Sequence, residues 1–286
     1  ALPLVVCITV GTSMGGHTGT LPFPYLIEGY STKPNRITVI GTGNEADKRH
    51  HYYNTLAGPT DTKTVEVRVG ENVNGFFLEL WTEIPNILSI SMISPSGENT
   101  FRIPLRVGAA AELDFLFERT TVTVDYRVLV EKTTSELIFF RFDAPAPGIW
   151  KIIVEPLNAI DGSFHMWLPM TEFLSGEVYF LESDPYYTLT SPANTASPVV
   201  VSYYDGNTEG VAQTSGRGYT RAQRINPDIT APGINIRGAL PGGRFSTRSG
   251  SCASAAVTAG AVALMMEWLI YIQDVPGIDS YQIKSL

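Results

Sequence analysis

Gly250 stands directly before Ser251-Cys252-Ala253-Ser254-Ala255-Ala256-Val257-Thr258-Ala259-Gly260-Ala261, and apolar character then continues to Ile272. A run so poor in bulky side chains predicts a helix that packs close to its neighbours, with the glycine as the turn that delivers its first residues. The stretch from Ala253 to Ile272 is interrupted by Ser254, Thr258, Gly260 and Glu267, so it reads as a buried helix of a globular core rather than a membrane span. Helix starts carry N–H groups without intrahelical partners and the positive end of the helix dipole. Both favour a developing negative charge.

With 286 residues and 44% apolar content, the chain is long enough to bury such a helix in one large domain or two medium ones. A net charge of -8 without a Lys/Arg run argues against nucleic-acid partners. The two cysteines, Cys7 and Cys252, lie far apart in sequence, and Cys7 falls in an apolar run that reads as a buried strand. A disulfide framework is not expected. The opening Ala1-Leu2-Pro3-Leu4-Val5-Val6-Cys7-Ile8 lacks the basic flank and cleavage site of a signal peptide, and reads as the middle of a longer polypeptide.

Leu4 to Val10 and Arg36 to Ile40 are short β-branched runs followed by glycine turns, as strands of a buried parallel sheet would be. Leu21 to Tyr30 supplies a crossover helix between them. From Thr62 the texture changes to alternation, as in Thr64-Val65-Glu66-Val67-Arg68-Val69 and Phe76-Phe77-Leu78-Glu79-Leu80-Trp81. Thr121 to Val130, Leu137 to Phe142 and Trp150 to Val154 follow the same pattern, which predicts a β-sandwich. After Leu174 the glycine-punctuated texture returns. The expected organisation is an α/β domain over 1–60 and 176–286, interrupted by an all-β insertion over 61–175.

The chemistry-bearing segment begins at Asn226-Pro227-Asp228-Ile229-Thr230-Ala231-Pro232-Gly233 and continues through Gly250-Ser251-Cys252-Ala253-Ser254 to Ala259-Gly260. It resembles the subtilase pattern K-P-D-[ILV]-x-A-P-G followed by G-T-S-x-A-[SA]-x-x-[VI]-A-G. The family nucleophile stands eight residues before the glycine of the closing pair, which here is Cys252 before Gly260. Placing Ser251 there instead would need a one-residue deletion, rotating every later helix contact by about 100°. Cys252, not Ser251 or Ser254, is therefore the expected nucleophile position.

Ile40-Gly41-Thr42-Gly43-Asn44-Glu45 is similar to the family's A-A-G-N-E, whose asparagine donates its amide to the tetrahedral oxyanion. The resemblance assigns that role to Asn44, a donor whose loss typically costs about 10²–10³ in rate. Cys7-Ile8-Thr9-Val10-Gly11-Thr12 is similar to the S-L-G strand lining the family's substrate groove. The implied peptide-binding residues are Thr9, Val10 and Gly11, with backbone groups pairing to an extended chain, together with Gly41, Thr42 and Gly43.

Subtilases run Asp, His, Ser along the chain, yet neither a D-[ST]-G nor an H-G-T-H segment occurs here. His17, in Gly15-Gly16-His17-Thr18-Gly19, follows the groove strand and reads as a loop histidine; His50 and His51 read as surface residues, and His165 lies in the β insertion. Without a base and its orienting carboxylate this polypeptide is expected to be inactive alone. The sequence reads as a fragment lacking the N-terminal third of a subtilisin-like parallel sheet, with the missing part as a partner.

A β block between the oxyanion and nucleophile segments is the arrangement of Csp-type spore-germination proteases, which carry an inserted jelly-roll domain. Ser215-Gly216-Arg217-Gly218-Tyr219-Thr220 suits the same group. The resemblance implies a bacterial endopeptidase, spore-associated or secreted, acting on peptide or protein substrates through an acyl-enzyme. No cofactor, metal site or membrane partner is expected, and no D-x-D-x-D loop is present. Cysteine at the nucleophile position is chemically competent, because helix starts favour the thiolate. It also keeps open a pseudoprotease acting as scaffold or sensor. A carbohydrate-binding β module is a third reading, resting on the insertion alone.

Overall fold

The computed structural model describes every residue except 1, 104, 107, 131–132 and 159–161. The chain divides into two compact units, one made of Ala1–Asp47 with Tyr186–Leu286 and the other of Lys48–Pro185.

The first unit holds β1 (Leu4–Ile8), α1 (Pro22–Ser31) and β2 (Arg36–Gly41). In the second follow β3 (His51–Thr55), β4 (Lys63–Val69), β5 (Gly75–Glu83), β6 (Ile87–Ile93) and β7 (Ala111–Phe115). It continues with β8 (Thr120–Val128), β9 (Ser135–Asp143), β10 (Gly148–Asn158), β11 (Ser163–Trp167) and β12 (Val178–Phe180). The chain then returns to the first unit with β13 (Val199–Tyr204), β14 (Ile229–Pro232), β15 (Ile236–Leu240) and β16 (Arg244–Arg248). Two helices close it, α2 (Ser251–Glu267) and α3 (Ser280–Lys284).

In the first unit a parallel sheet runs in the order β1-β2-β13-β14. β1 pairs with β2 from Leu4 opposite Arg36 to Ile8 opposite Ile40, as the two apolar runs require. Side chains alternate across the sheet: Ile37 and Val39 join Val199, Val201, Ala255, Val262 and Met266 under α2, while Ile40 and Val200 meet Ile27 of α1 on the other face. β14 carries the Asn226-Pro227-Asp228 motif to the sheet. Asn226 Nδ2 donates to the carbonyls of Ala193 and Thr195, and Asp228 Oδ2 accepts from Val200 N–H at 2.7 Å and pairs with Lys284 at 3.0 Å.

Two sequence expectations are corrected here. Cys7 is exposed rather than buried, because β1 is the edge of this sheet among the described residues. α2 is buried only along one stripe, comprising Ser251, Ser254, Ala255, Thr258, Val262 and Met266. Its other face leaves Val257 40% and Leu264 68% exposed, and Trp268 just past its end 52%, since the sheet covers one side only of a helix that is apolar all round.

The second unit is a sandwich of a four-stranded sheet, β12-β4-β10-β6, and a six-stranded sheet, β3-β11-β5-β9-β8-β7. The pairings within both sheets are antiparallel. Inward residues of the two sheets form one core, with Val65, Val67 and Trp150 facing Leu78, Val124 and Phe140. The alternation read from the sequence is the physical cause, since period-two patterning gives each strand one apolar face.

This unit extends beyond the 61–175 range read from composition. β3 pairs with β11 and β12 with β4, so residues on either side of that range complete the sheets. His50 and His51 are consequently buried, not surface residues. His51 Nε2 lies 3.0 Å from His165 Nδ1, and its ring stacks on Trp167. The chain leaves the unit beside where it entered: Phe180 N–H donates to Arg49 O at 3.0 Å and Asp184 N–H to His51 O at 2.9 Å.

Candidate active site

The start of α2 is built from three segments of the first unit. Gly250 precedes it with φ +126°, a conformation that side chains rarely adopt, and a Cβ there would meet Asn44 Oδ1 at 3.1 Å. Gly250 N–H donates to Gly233 O at 2.8 Å, so the Ala231-Pro232-Gly233 segment anchors the turn.

Asn44 reaches the same place from the end of β2. Its Oδ1 accepts Ser251 N–H at 3.0 Å, and Gly43 N–H donates to Ser251 Oγ at 3.1 Å. These reciprocal bonds occupy one of the helix's orphan N–H groups. With Oδ1 so engaged, Nδ2 is the side chain's donor for another oxygen. Gly41 lies closer still, as a Cβ on it would fall 2.6 Å from Ser251 O.

Of the three candidate nucleophiles on the first turn, Ser251 and Ser254 are buried and Cys252 is exposed. The Ser251 hydroxyl accepts from Gly43, and the Ser254 hydroxyl donates to Ser251 O at 2.9 Å. The Cys252 thiol donates to Thr9 O at 3.3 Å, placing the groove-like segment beside it. Cys7, on the same segment, is exposed at the sheet edge but partly desolvated by its surroundings, which pushes its thiol pKa up, with the nearby Cys252 adding to the rise. Tyr203, beneath the Gly233 turn, is likewise raised by burial first, then by Asp47, Cys252 and Glu45.

The structure thus brings Thr9, Gly41, Gly43, Asn44 and Cys252 around one helix terminus, from positions more than two hundred residues apart. Gly11 and Thr42 lie one step deeper, where Thr12 exchanges backbone hydrogen bonds with Ser191 and Thr42 O accepts Thr190 N–H at 3.0 Å. Val10 stays 66% exposed beside them. Two residues sequence reasoning passed over matter here. Ser251 fastens the oxyanion-like turn to the helix, and Thr190 lies between Gly11 and Gly43. No local motif marks either.

His17 lies in the loop between β1 and α1. It is buried, with Nε2 2.8 Å from Ser13 O, and burial lowers its pKa to about 4. Among the described residues no group of three or more His, Cys, Asp or Glu side chains is placed to hold a metal ion.

Residues 181–284 match the model of the subtilase family. The Clostridium perfringens CspB protease structure aligns with 99% of this chain at 28% identity and a TM-score of 0.90, the chain spanning 59% of that protein's length. The maturation protease PagA aligns with 35% of this chain and 34% of its own, at 25% identity and a TM-score of 0.29. The self-cleaved protease domain of PatA aligns with 35% of this chain and 36% of its own, at 23% identity and a TM-score of 0.29. No curated protein sequence matches the chain. Residues 181–284 therefore resemble the subtilase family, and the chain as a whole shares the fold of the CspB protease structure.

Proposed function

We propose that this chain is the nucleophile- and oxyanion-bearing part of a subtilisin-like endopeptidase, with the catalytic histidine and aspartate supplied by sequence outside these 286 residues. The observation that carries the reading is the convergence of Asn44 and the Cys252 thiol on the first turn of α2. The apolar outer face of α2 supports it, as a surface for additional subtilase structure.

In this mechanism an extended substrate lies along Thr9 to Gly11, and Cys252 Sγ attacks the carbonyl carbon of the scissile bond. The thiol proton passes to the external histidine, oriented by its aspartate. The tetrahedral oxygen gathers negative charge against Asn44 Nδ2 and the positive end of α2. Collapse expels the amine, protonated by the histidine, and leaves a thioester that water then hydrolyses, freeing Cys252. Sulfur is larger than oxygen, so a groove shaped around a serine ester holds the thioester carbonyl less well aligned.

The sandwich over residues 48–185 serves in this reading as a structural insertion between the oxyanion and nucleophile segments.

A scaffold or sensor without hydrolysis is the competing reading, favoured by cysteine at the nucleophile position. Labelling the full-length protein with a fluorophosphonate probe distinguishes them, in its Cys252 form and as Cys252→Ser. Labelling of the serine form at residue 252 is the expected result. A folded serine form that stays unlabelled overturns the peptidase proposal and leaves the scaffold.

A further inference from the structure

Cys7 and Cys252, the two cysteines of the chain, are both exposed and both in thiol form. Alternation along β1 sets where Cys7 points. Ile8 packs on the α1 side of the sheet with Ile27, Ile40 and Val200, whereas Val5 packs on the α2 side with Ile37, Val39 and Ala255. Cys7 shares the parity of Val5, so its side chain stands on the face that α2 covers. Thr9 follows two positions on, about 7 Å further along the strand. Its carbonyl oxygen accepts the Cys252 thiol at 3.3 Å.

The helix descends along the same face. Cys252 is level with Thr9, and Ala259, about two turns later, packs into the same cluster as Val5. Cys7 lies between those two levels. Side chains three and four positions after Cys252 share its side of the helix, and both, Ala255 and Ala256, are alanine. A swing of the Cys252 side chain back along the strand, from Thr9 toward Cys7, therefore meets nothing on that side of the helix larger than a methyl group. The two thiols also sense each other electrostatically: after the larger effect of partial desolvation, Cys252 raises the Cys7 thiol pKa.

We infer that Cys7 and Cys252 form a redox pair, in which a peroxide oxidises Cys252 and Cys7 then closes an intramolecular disulfide beside the start of α2. The two sulfurs have different parts in it. Cys252 stands on a first helical turn, where unpaired N–H groups and the helix dipole favour the thiolate, the form that attacks peroxide. Its sulfur takes one peroxide oxygen and becomes a sulfenic acid, and the other oxygen leaves as hydroxide, which the thiol proton converts to water. The Cys7 sulfur then attacks the sulfenic sulfur. The S–S bond forms, the S–O bond breaks, and hydroxide leaves as a second water with the Cys7 proton. Two thiols thus lose two electrons and one peroxide is reduced to two waters. A dithiol reductant restores both thiols by exchange. The inference needs only the two sulfurs and the strand face, and does not rest on the peptidase reading; under that reading the disulfide is the off state of the nucleophile.

A disulfide needs its Cα atoms within about 7 Å of each other, so formation of the bridge tests the placement directly. The reduced 286-residue chain is treated with a small excess of hydrogen peroxide at low protein concentration and digested without reductant. Mass spectrometry is expected to find a peptide linking Cys7 to Cys252, with the intact mass lower by two hydrogens and no covalent dimer. Iodoacetamide labelling of Cys252 is lost in step and returns with dithiothreitol. In Cys7→Ser the same treatment is expected to stop one step earlier, adding one oxygen at Cys252 that dimedone traps. Cys252→Ser is expected to leave Cys7 reduced at the same dose.

Peroxide that only adds oxygen to Cys252 in the parent, as in Cys7→Ser, or linkage found only between molecules, overturns the inference. The parent measurement needs no variant, so it decides the matter even where a serine form folds poorly. Either result leaves the peptidase proposal standing, because that proposal is read in the full-length Cys252→Ser protein. Conversely, a folded full-length serine form that stays unlabelled removes the peptidase proposal and leaves the disulfide in place.

Discussion

Asn44 and Ser251 are joined across 207 residues by a single hydrogen bond, Ser251 N–H to Asn44 Oδ1 at 3.0 Å. One end of the amide is thereby committed to structure, and under the peptidase proposal the other serves as the oxyanion donor. Two substitutions separate these roles. Asn44→Asp keeps the acceptor for Ser251 and removes the donor; Asn44→Ala removes both. In the full-length Cys252→Ser protein, both are expected to lower acylation by about 10²–10³, read as kcat with KM nearly unchanged. Only Asn44→Ala is expected to lower the unfolding midpoint. An Asn44→Asp protein that acylates at the parent rate contradicts the donor role.

Gly250 is the residue on which the helix start turns. Its φ of +126° strains any side chain, and the 3.1 Å approach to Asn44 Oδ1 requires that amide to shift to admit one. Gly250→Ala is expected to destabilise the chain by about 1–3 kcal/mol, the usual cost of a residue forced into such backbone. Urea denaturation reads that loss. Iodoacetamide labelling of Cys252 in the native protein is expected to change as well, because the turn sets how the thiol is presented. A variant with the parent midpoint and parent labelling rate contradicts the assignment.

Glu136 makes the sandwich sensitive to pH. It is fully buried in β9, its Oε2 accepts Leu88 N–H at 2.9 Å, and Oε1 has no hydrogen-bond partner among the described residues. Burial raises its pKa from the ordinary 4.5 to about 7, against the opposing pull of the Leu88 hydrogen bond. Since the folded state prefers the protonated acid, the side chain's contribution is full below pH 4.5 and is lost as pH rises through 7. Glu136→Gln, which cannot ionise, is expected to be more stable than the parent above pH 7, by on the order of 3 kcal/mol. The two proteins should converge at acidic pH. Urea midpoints measured from pH 4.5 to 8 test this, and parallel curves would contradict it.

Much of the cluster around the start of α2 could be read along the chain because its patterns are local. Gly250 before a small-residue run announces a tight helix start. The Asn226-Pro227-Asp228 segment and the Gly43-Asn44-Glu45 turn each carry a self-contained pattern. What could not be read depends on pairing between distant segments. β3 has no stronger strand signal than its flanks, and its place in the sandwich is decided by β11, over a hundred residues later. The burial of His50 and His51 follows from that pairing and was invisible for the same reason. Cys7 sits in an apolar run that looks alike at the edge or the centre of a sheet. Thr190 has no motif at all; only two glycines from two other segments reveal what it fills.

The sandwich that enters and leaves through Arg49, His51, Phe180 and Asp184 also governs time. The site needs segments on either side of residues 48–185, and joining them through an unfolded loop of that length carries a closure entropy that slows assembly. Once the sandwich has folded, its own hydrogen bonds already hold the two exits together, and the remaining search is short. Cys252 should therefore come to lie beside Thr9 and next to the Asn44–Ser251 hydrogen bond only after the β unit is complete, with the rate of that convergence inherited from the folding of a separate unit.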